Sequence, residues 1–209
     1  IYYIYNVFLT LFSLFLLPFY LLKSNKRGLR RLAFFQPSGP VDVLIHAVSV
    51  GEVKAMRAFV DYLRAERPEL RIGISTTTDT GYKTASDVYV GLPIYLFPLD
   101  FYGACSRFLK KLNPSLVVLA ELELWPNFLR VCEKNNCEVV VVNGRITEKS
   151  LSGYLRIGRW LPRFGNIRFF CVQNKTYYER FLKLGVSHEK IEVAGNLKYD
   201  SLDFSEVLP

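Results

Sequence analysis

Short apolar runs alternate with amphipathic stretches from residue 41 onward. The runs predict strands over residues 41–48, 71–77, 94–98, 116–121, 138–143, 169–173 and 191–194. Their near-continuous apolar character is typical of strands covered on both faces. Helices are predicted over residues 101–112, 125–135, 149–160 and 175–184, and another between the first two strands, where apolar residues recur every three or four positions (Val53, Met56, Phe59, Val60 and Leu63).

This alternation of strand and helix predicts the fold class. It implies right-handed crossovers and therefore an α/β, Rossmann-like parallel sheet with helices on both faces. We predict one such domain over residues 41–200 and the start of an interdomain linker over 201–209. Sheets of this kind bind ligands beyond the carboxyl ends of their strands, so we expect functional residues at the strand-to-helix junctions.

The first 22 residues carry no charge, and about 20 apolar residues suffice for a helix to cross a bilayer. They lack the basic start and the cleavage site of a secretory signal. We therefore predict an N-terminal membrane anchor helix over residues 1–22. Two placements stay open, because Pro18 and the aromatic residues near both ends also suit a helix lying in the membrane interface.

A basic segment, residues 23–40, follows the anchor and contains no acidic residue. It holds much of the positive charge in a chain of net charge +8. The positive-inside bias places the following domain on the cytoplasmic side, with an anionic membrane surface as partner at about 1 kcal/mol per basic residue. Nucleic acid is not the expected partner, because the basic cluster adjoins the anchor. Its basic residues are Lys23, Lys26, Arg27, Arg30 and Arg31.

Several function classes lose support from missing motifs. The four cysteines form no CxxC pair, and His46 and His188 lie far apart, so neither a zinc site nor a disulfide framework is predicted and a reducing compartment fits best. No GxGxxG and no GxxxxGK[ST] occurs, which argues against dinucleotide dehydrogenases and P-loop nucleotidases. No Asp-x-Asp pair is present to hold a divalent cation, so we expect no metal and no cofactor.

Six polar motifs stand at the predicted junctions: HAVSVGE (46–52), TTTDTG (76–81), PLD (98–100), ELELWPN (121–127), VNGRITEKS (142–150) and GNLKYD (195–200). In this order and spacing, behind a hydrophobic anchor, they resemble the bacterial transferases of 3-deoxy-D-manno-octulosonic acid (Kdo). The resemblance implies a GT-B glycosyltransferase of lipopolysaccharide biosynthesis at the cytoplasmic face of the inner membrane. The resemblance further implies that such an enzyme transfers Kdo from CMP-Kdo to a lipid A precursor, lipid IV-A.

The resemblance covers only the N-terminal, acceptor-binding half of such an enzyme. We therefore expect residues 1–209 to bind acceptor without turnover, because the C-terminal domain that binds CMP-Kdo is absent from this sequence. Two alternatives stay open. One is another GT-B glycosyltransferase with a different lipid acceptor, and the other is a non-catalytic, membrane-tethered binding module.

Glu52 has two interpretations. From the residues alone, an acid in the first turn of a helix complements the helix dipole. The resemblance implies instead that Glu52 is the catalytic base, which removes the proton of the acceptor hydroxyl. Its pKa would then have to be raised by burial or by a nearby carboxylate. The resemblance also places Ser49 and Gly51 at the acceptor, and Gly51 is small enough to let a sugar approach the backbone.

Thr76, Thr77 and Thr78 end the second strand just before a helix. Their hydroxyls and the free N–H groups of that helix suit a phosphate or a sugar hydroxyl. Capping of the helix is the alternative for each of them. The family often has proline where this chain has Asp79.

Glu121 and Glu123 follow the fourth strand, and strand alternation would place both on one face. Two buried carboxylates need a partner, and Arg145 after the next strand is the natural one. A purely structural pair stays open, although the resemblance assigns Glu121 to the active site. The usual threonine between the two acids is Leu122 here. Trp125 is either a core residue or a sugar platform.

Cationic residues at two junctions suit anionic substrate groups. The guanidinium of Arg145 is suited to a phosphate or a carboxylate, and Lys149 is more simply a surface charge. In the full enzyme, Asn196 and Lys198 would face the cleft between domains, where Lys198 would neutralise the departing CMP phosphate. The alternative for Lys198 is a solvated side chain.

Overall fold

A parallel sheet of seven strands forms the centre of the computed structural model, which describes residues 5–7, 9–11, 25–157 and 166–200. The strands lie in the order β3-β2-β1-β4-β5-β6-β7, and every neighbouring pair is parallel. They are β1 (Val43–His46), β2 (Ile72–Thr76), β3 (Ile94–Leu96), β4 (Leu116–Ala120), β5 (Glu138–Gly144), β6 (Phe169–Val172) and β7 (Ile191–Val193). The predicted Rossmann-like sheet is confirmed.

Helices follow most of the strands and cover the sheet. They are α1 (Asn25–Arg31), α2 (Val50–Ala55), α3 (Arg57–Glu66), α4 (Asp79–Val88), α5 (Tyr102–Leu112), α6 (Pro126–Lys134), α7 (Glu148–Ile157), α8 (Lys175–Lys183) and α9 (Leu197–Asp200), with a 3-10 turn at His188–Lys190. The chain builds β2 and β3 on one side of β1 and then places β4 on its other side. The strand order therefore reverses between β1 and β4, which is where such sheets bind ligands.

Two apolar cores lie on the two faces of the sheet. One contains Phe97, Phe108 and Phe128, and the other contains Ile45, Val53 and Met56. All six of these residues are buried, and burial of each large side chain contributes about 1.5–3 kcal/mol. Because both faces are covered, the strands read as continuous apolar runs rather than as alternating ones.

The helix predicted between β1 and β2 is broken into α2 and α3 around Met56. The apolar residues predicted at intervals of three or four positions still lie on the buried side of these helices, because Val53, Met56 and Val60 all pack in the core. The buried side of α4 holds only Gly81 and Ala85, so the apolar pattern does not define the bounds of that helix.

The N-terminal segment is described only in part. Residues 5–7 and 9–11 are helical, and the remainder of the predicted anchor, residues 1–22, lies outside the described residues, as does the predicted linker 201–209. Across the described ranges, no helix is both long and apolar enough to cross a membrane. The basic segment contains α1, whose residue Arg31 accepts a hydrogen bond at its carbonyl from Leu99 N at 2.8 Å, so α1 lies beside the carboxyl end of β3.

Candidate active site

Polar side chains gather at the carboxyl edge of the sheet, around the point where the strand order reverses. Glu52 lies on α2 after β1, Thr76 ends β2, Glu121 follows β4 and Arg145 follows β5. The charges of Glu121 and Arg145 both influence the pKa of Glu52. Glu52, Glu121 and Arg145, predicted from separate junctions, therefore lie near one another, and Thr76 is linked to Glu52 because both hydrogen-bond to the backbone of Val48.

Glu52 closes a capping box at the start of α2. Ser49 is the N-cap residue, and its Oγ accepts from Glu52 N at 3.3 Å. In return, Glu52 Oε1 accepts from Ser49 Oγ at 2.7 Å and Oε2 accepts from Val48 N at 2.8 Å. This reciprocal pattern satisfies free donors of the helix end, so the structural interpretation of Glu52 holds. Each carboxylate oxygen still has a second lone pair for a substrate proton.

The pKa of Glu52 is raised above its ordinary value. Burial is the largest cause, and the hydrogen bonds from Ser49 and Val48 oppose it. The negative charge of Glu121 raises the pKa further, whereas Arg145 lowers it. Burial therefore outweighs the capping interactions. A carboxylate at a helix start gains basicity here, as a general base requires.

Arg145 and Glu121 form the predicted ion pair. Arg145 Nε donates to Glu121 Oε2 at 2.6 Å, and the side chain of Glu121 is only 13% exposed. The prediction that strand alternation orients Glu121 and Glu123 is wrong, because β4 ends at Ala120. Glu121 instead has a left-handed backbone with φ of 59°. This conformation is rare outside glycine and costs on the order of 1 kcal/mol, and such strain is concentrated at functional sites.

Glu123, one of the two acids noted after the fourth strand, is a functional candidate that the resemblance does not assign to the site. Its pKa is raised to about 7, first by burial and then by the negative charge of Glu52. It lines a polar cavity of about 210 Å³ together with Glu121, Arg145 and Tyr154. A signal was present in the spacing of two acids after a buried strand. Its pKa depends on its burial in the folded chain and on the position of Glu52, and the spacing does not reveal either.

The three threonines lie at the carboxyl end of β2, where Thr76 and Thr78 contact the segment that precedes α2. Thr76 and Thr78 both donate from Oγ1 to Val48 O, at 3.2 and 3.3 Å. Thr78 also caps α4, because its Oγ1 accepts from Gly81 N at 3.0 Å. A Cβ on Gly81 would collide with Thr76 Oγ1 and lie 2.8 Å from Thr78 Oγ1. Thr77 stands between Thr76, the last residue of β2, and Thr78.

Gly51 and Trp125 differ in what the fold requires of them. Gly51 is exposed, and a Cβ there would meet nothing closer than Ser49 Oγ at 3.9 Å. Packing therefore does not demand glycine beside Glu52. Trp125 packs against the core, with its ring centroid 6.0 Å from that of Phe97. Trp125 is partly buried against the core and precedes α6, whose first residue is Pro126.

Asn196 and Lys198 lie close to the site although β7 is at the far end of the sheet. Leu197 N donates to Asn143 Oδ1 at 3.2 Å, at the end of β5. Helix α9 then contacts α2 and α3, so the chain returns across the carboxyl edge. Asn196 Oδ1 accepts from Lys198 N at 3.1 Å, and the Lys198 side chain is exposed.

The largest cavity among those described is elsewhere. It measures about 540 Å³, lies along the edge strand β3 and is lined by residues such as Leu29, Phe35 and Tyr95. In the described part of the chain, no group of His, Cys, Asp and Glu side chains has the arrangement of a metal site. The carboxyl edge, and not this cavity, therefore has both the glutamates whose pKa is raised, Glu52 and Glu123, and the reversal of strand order.

The fold and this edge define a Rossmann-like, GT-B-like domain. The same fold occurs in a UDP-N-acetylglucosamine 2-epimerase, with a TM-score of 0.58 and 11% identity over 78% of this chain and 48% of the other. The Neisseria meningitidis UDP-GlcNAc 2-epimerase bound to UDP-GlcNAc has a TM-score of 0.56 and 12% identity, over 76% of this chain and 48% of that one. At such identities the likeness concerns the fold alone.

Sequence similarity identifies the family. Residues 25–201 match the model of the family described as 3-deoxy-D-manno-octulosonic-acid transferase (kdotransferase), and the chain belongs to that family. It is 31% identical to the 3-deoxy-D-manno-octulosonic acid transferase of Chlamydia trachomatis serovar D over 79% of this chain and 39% of the relative. It is 32% identical to that of Haemophilus influenzae over 81% of this chain and 40% of the relative. The chain thus spans about 40% of the length of these relatives.

Proposed function

We propose that this chain is the acceptor-binding half of an enzyme that transfers Kdo from CMP-Kdo to a lipid A precursor, lipid IV-A. Membership of the Kdo transferase family supports the reaction. One structural observation carries the proposal: at the point where the strand order reverses, Glu52 is half-buried and its pKa is raised. A carboxylate in that state is suited to accept a proton from a sugar hydroxyl.

Glu52 acts as the general base in the proposed reaction. It takes the proton of the acceptor hydroxyl as that oxygen forms a bond to the anomeric carbon of Kdo. The bond between that carbon and the CMP phosphate breaks on the opposite face, and CMP leaves with the electron pair. Because displacement is from the opposite face, the configuration at the anomeric carbon is inverted. No metal is assigned a role.

The other site residues bind and orient the acceptor. Arg145 pairs directly with Glu121 at 2.6 Å, and its half-exposed guanidinium retains donors for a phosphate or a carboxylate. Ser49, Gly51 and Thr76–Thr78 border the position that the acceptor sugar would occupy. Trp125 contributes by packing behind the Glu121–Glu123 loop rather than as a sugar platform.

The donor would approach from the C-terminal domain of the whole enzyme. Asn196 and Lys198 lie beside α2, so Lys198 is close to the helix that carries Glu52. An exposed ammonium there would offset the charge of the departing CMP phosphate. The basic residues 23–31 would hold the domain against an anionic membrane surface at the cytoplasmic face of the inner membrane.

The test uses the full-length protein that contains both domains. Purified enzyme is incubated with CMP-Kdo and lipid IV-A, and mass spectrometry of the lipid is combined with measurement of released CMP. We expect the lipid to gain Kdo in step with CMP release. CMP-Kdo left intact would contradict the proposal, and transfer of a different activated sugar would favour another lipid-acceptor glycosyltransferase. Acceptor binding without any turnover would favour a binding module.

A further inference from the structure

Asp100, the last residue of the PLD motif, is the centre of a buried hydrogen-bond network. It is only 6% exposed, and its carboxylate accepts three hydrogen bonds at 3.0 Å or less. Asn127 N donates to Oδ2 at 3.0 Å and Phe128 N donates to Oδ1 at 2.8 Å. The third donor is Tyr5 Oη, which lies 2.8 Å from Oδ2. A buried carboxylate with this many donors rigidifies the elements it joins.

Two of these donors are N–H groups in the first turn of α6, where the helix itself offers no acceptor. The N-cap residue Trp125 provides no side-chain cap. Asp100, from the loop after β3, supplies the cap instead and places a negative charge at the positive end of the helix. Because the Glu121–Trp125 loop leads directly into α6, Asp100 also fixes one end of the loop that carries Glu121 and Glu123.

The N-terminal segment attaches to the same network through two residues. Besides the bond from Tyr5 Oη to Asp100, Asn127 Nδ2 donates to Asn6 Oδ1 at 3.0 Å and to Asp100 O at 2.6 Å. Both hydrogens of the Asn127 amide are therefore used, and Asn127 is fully buried. The contacts join residues more than 90 positions apart, between the hydrophobic N-terminus and the carboxyl edge of the sheet.

We propose that Asp100 and Asn127 dock the N-terminal hydrophobic segment onto the edge of the candidate site, with Tyr5 and Asn6 as positioning residues that hold this edge toward an acceptor embedded in a membrane. The proposal rests on the proposed function. The segment would then do more than tether the enzyme. A flexible tether would leave the site in random orientations, whereas a docked segment presents the Glu121–Glu123 loop to the bilayer, where the head group of a lipid acceptor lies.

Docking of the N-terminal segment should affect two forms of the acceptor differently. A lipid acceptor in a bilayer has a fixed orientation, so the enzyme must match it, and loss of docking should weaken productive binding. A water-soluble acceptor with short acyl chains tumbles freely and reaches the site in any orientation. Undocking should therefore raise KM for the bilayer acceptor and leave kcat, and KM for the soluble acceptor, unchanged.

The experiment compares full-length wild type with the Tyr5→Phe/Asn6→Ala double variant. The control is Tyr62→Phe, which removes a hydroxyl from an exposed tyrosine on α3. Steady-state transfer is measured with acceptor in phosphatidylglycerol-containing vesicles and with short-chain acceptor in solution. Loss of two hydrogen bonds predicts a rise of about tenfold in KM for vesicles only. The control should match wild type in both assays.

A second measurement is independent of transfer. Hydrogen exchange of the backbone amides of residues 126–130 is followed in vesicles, and we expect faster exchange in the double variant but not in the control. Equal losses with both acceptors, or no loss with either, would overturn the proposal. If wild type transfers no Kdo to either acceptor, the proposed function fails. In that case hydrogen exchange alone tests the docking. Unchanged exchange in the double variant would overturn the docking proposal.

Discussion

Acidic residues at the amino ends of the strands (the amino edge) and at their carboxyl ends (the carboxyl edge) have pKa values that are shifted in opposite directions. At the amino edge, Asp42 accepts from Arg71 N and Nε at 2.9 Å and from Nη2 at 2.6 Å. This pairing lowers the pKa of Asp42 to about 2. At the carboxyl edge, Arg145 pairs with Glu121, while Glu52 and Glu123 have no ion pair in the described part of the chain. The pKa of each is raised, that of Glu123 to about 7.

This contrast indicates that the amino edge stabilises the fold and that the carboxyl edge is the candidate site of chemistry. A fold gains from matched charges, and the amino edge has them. Half-buried carboxylates that crowd one another cost stability, since each resists ionisation of the others. Such an arrangement persists where a site uses it, because perturbed pKa values occur preferentially at functional sites.

The largest expected effect is on Glu52. Glu52→Gln keeps the size of the side chain and an oxygen to accept from Val48 N, but it removes the base. We expect kcat of the full-length enzyme to fall about 100- to 10,000-fold, as measured by CMP release. At the other edge, Asp42→Asn should leave kcat within about twofold of wild type. Comparable losses from both substitutions would remove the contrast between the edges.

Arg145→Gln tests the cation at the carboxyl edge. It removes a charged hydrogen bond to Glu121, so we expect kcat/KM to fall about 10- to 100-fold. Because the charge of Arg145 lowers the pKa of Glu52, its loss raises that pKa further. The acid limb of the pH–rate profile should then move to higher pH.

Arg71→Gln is the matched substitution at the amino edge. It removes a guanidinium whose partner is remote from the candidate site, so kcat/KM and the pH–rate profile should match those of wild type. A shift of the acid limb in Arg71→Gln, or no shift in Arg145→Gln, would contradict the prediction that only the cation at the carboxyl edge influences the pKa of Glu52.

The sequence predicts the features that follow from strand order. All seven strands appear where apolar runs place them, and the parallel sheet brings their polar ends to one edge. The Glu121–Arg145 pair follows from this, because β4 and β5 are neighbours and both residues directly follow their strands. Periodicity and junction chemistry are local signals, and they suffice for these contacts.

Features that depend on distant packing escape prediction. The motif PLD carries no sign that Asp100 caps α6 and binds Tyr5, because those partners are separated from it by tens of residues. Similarly, the helix α9 returns across the sheet to α2 through a contact of Leu197 with Asn143, whose left-handed backbone has φ of 54°. The pKa of Glu123 depends on the residues that bury it, and no spacing in the sequence encodes that burial.

Glu123→Gln should change how stability depends on pH. A carboxyl that has a pKa near 4.5 when unfolded and about 7 when folded binds its proton more tightly in the fold. Its contribution is therefore fully present below about 4.5 and is lost as pH rises through 7. We expect the variant to be more stable than wild type at pH 8 by about 1–2 kcal/mol, discounted for partial exposure, with no gain at pH 4. Thermal unfolding in detergent at both pH values measures this, and an equal gain at both would contradict it.

Asp42→Asn should have the smallest effect and the opposite sign. Its folded pKa of about 2 lies below the ordinary 3.8, so the ion pair stabilises the fold above pH 4 and the contribution is lost as pH falls through 2. Because the pair is exposed, we expect a loss of about 0.2–1 kcal/mol at pH 8, measured by the same thermal unfolding. One carboxyl-to-amide change would then stabilise the protein and the other would weaken it, at one pH and in one sheet. If both substitutions changed the free energy of unfolding in the same direction at pH 8, the acids of the two edges would not differ in the sign of their contribution. Crowding of carboxylates at the carboxyl edge would then not explain the contrast.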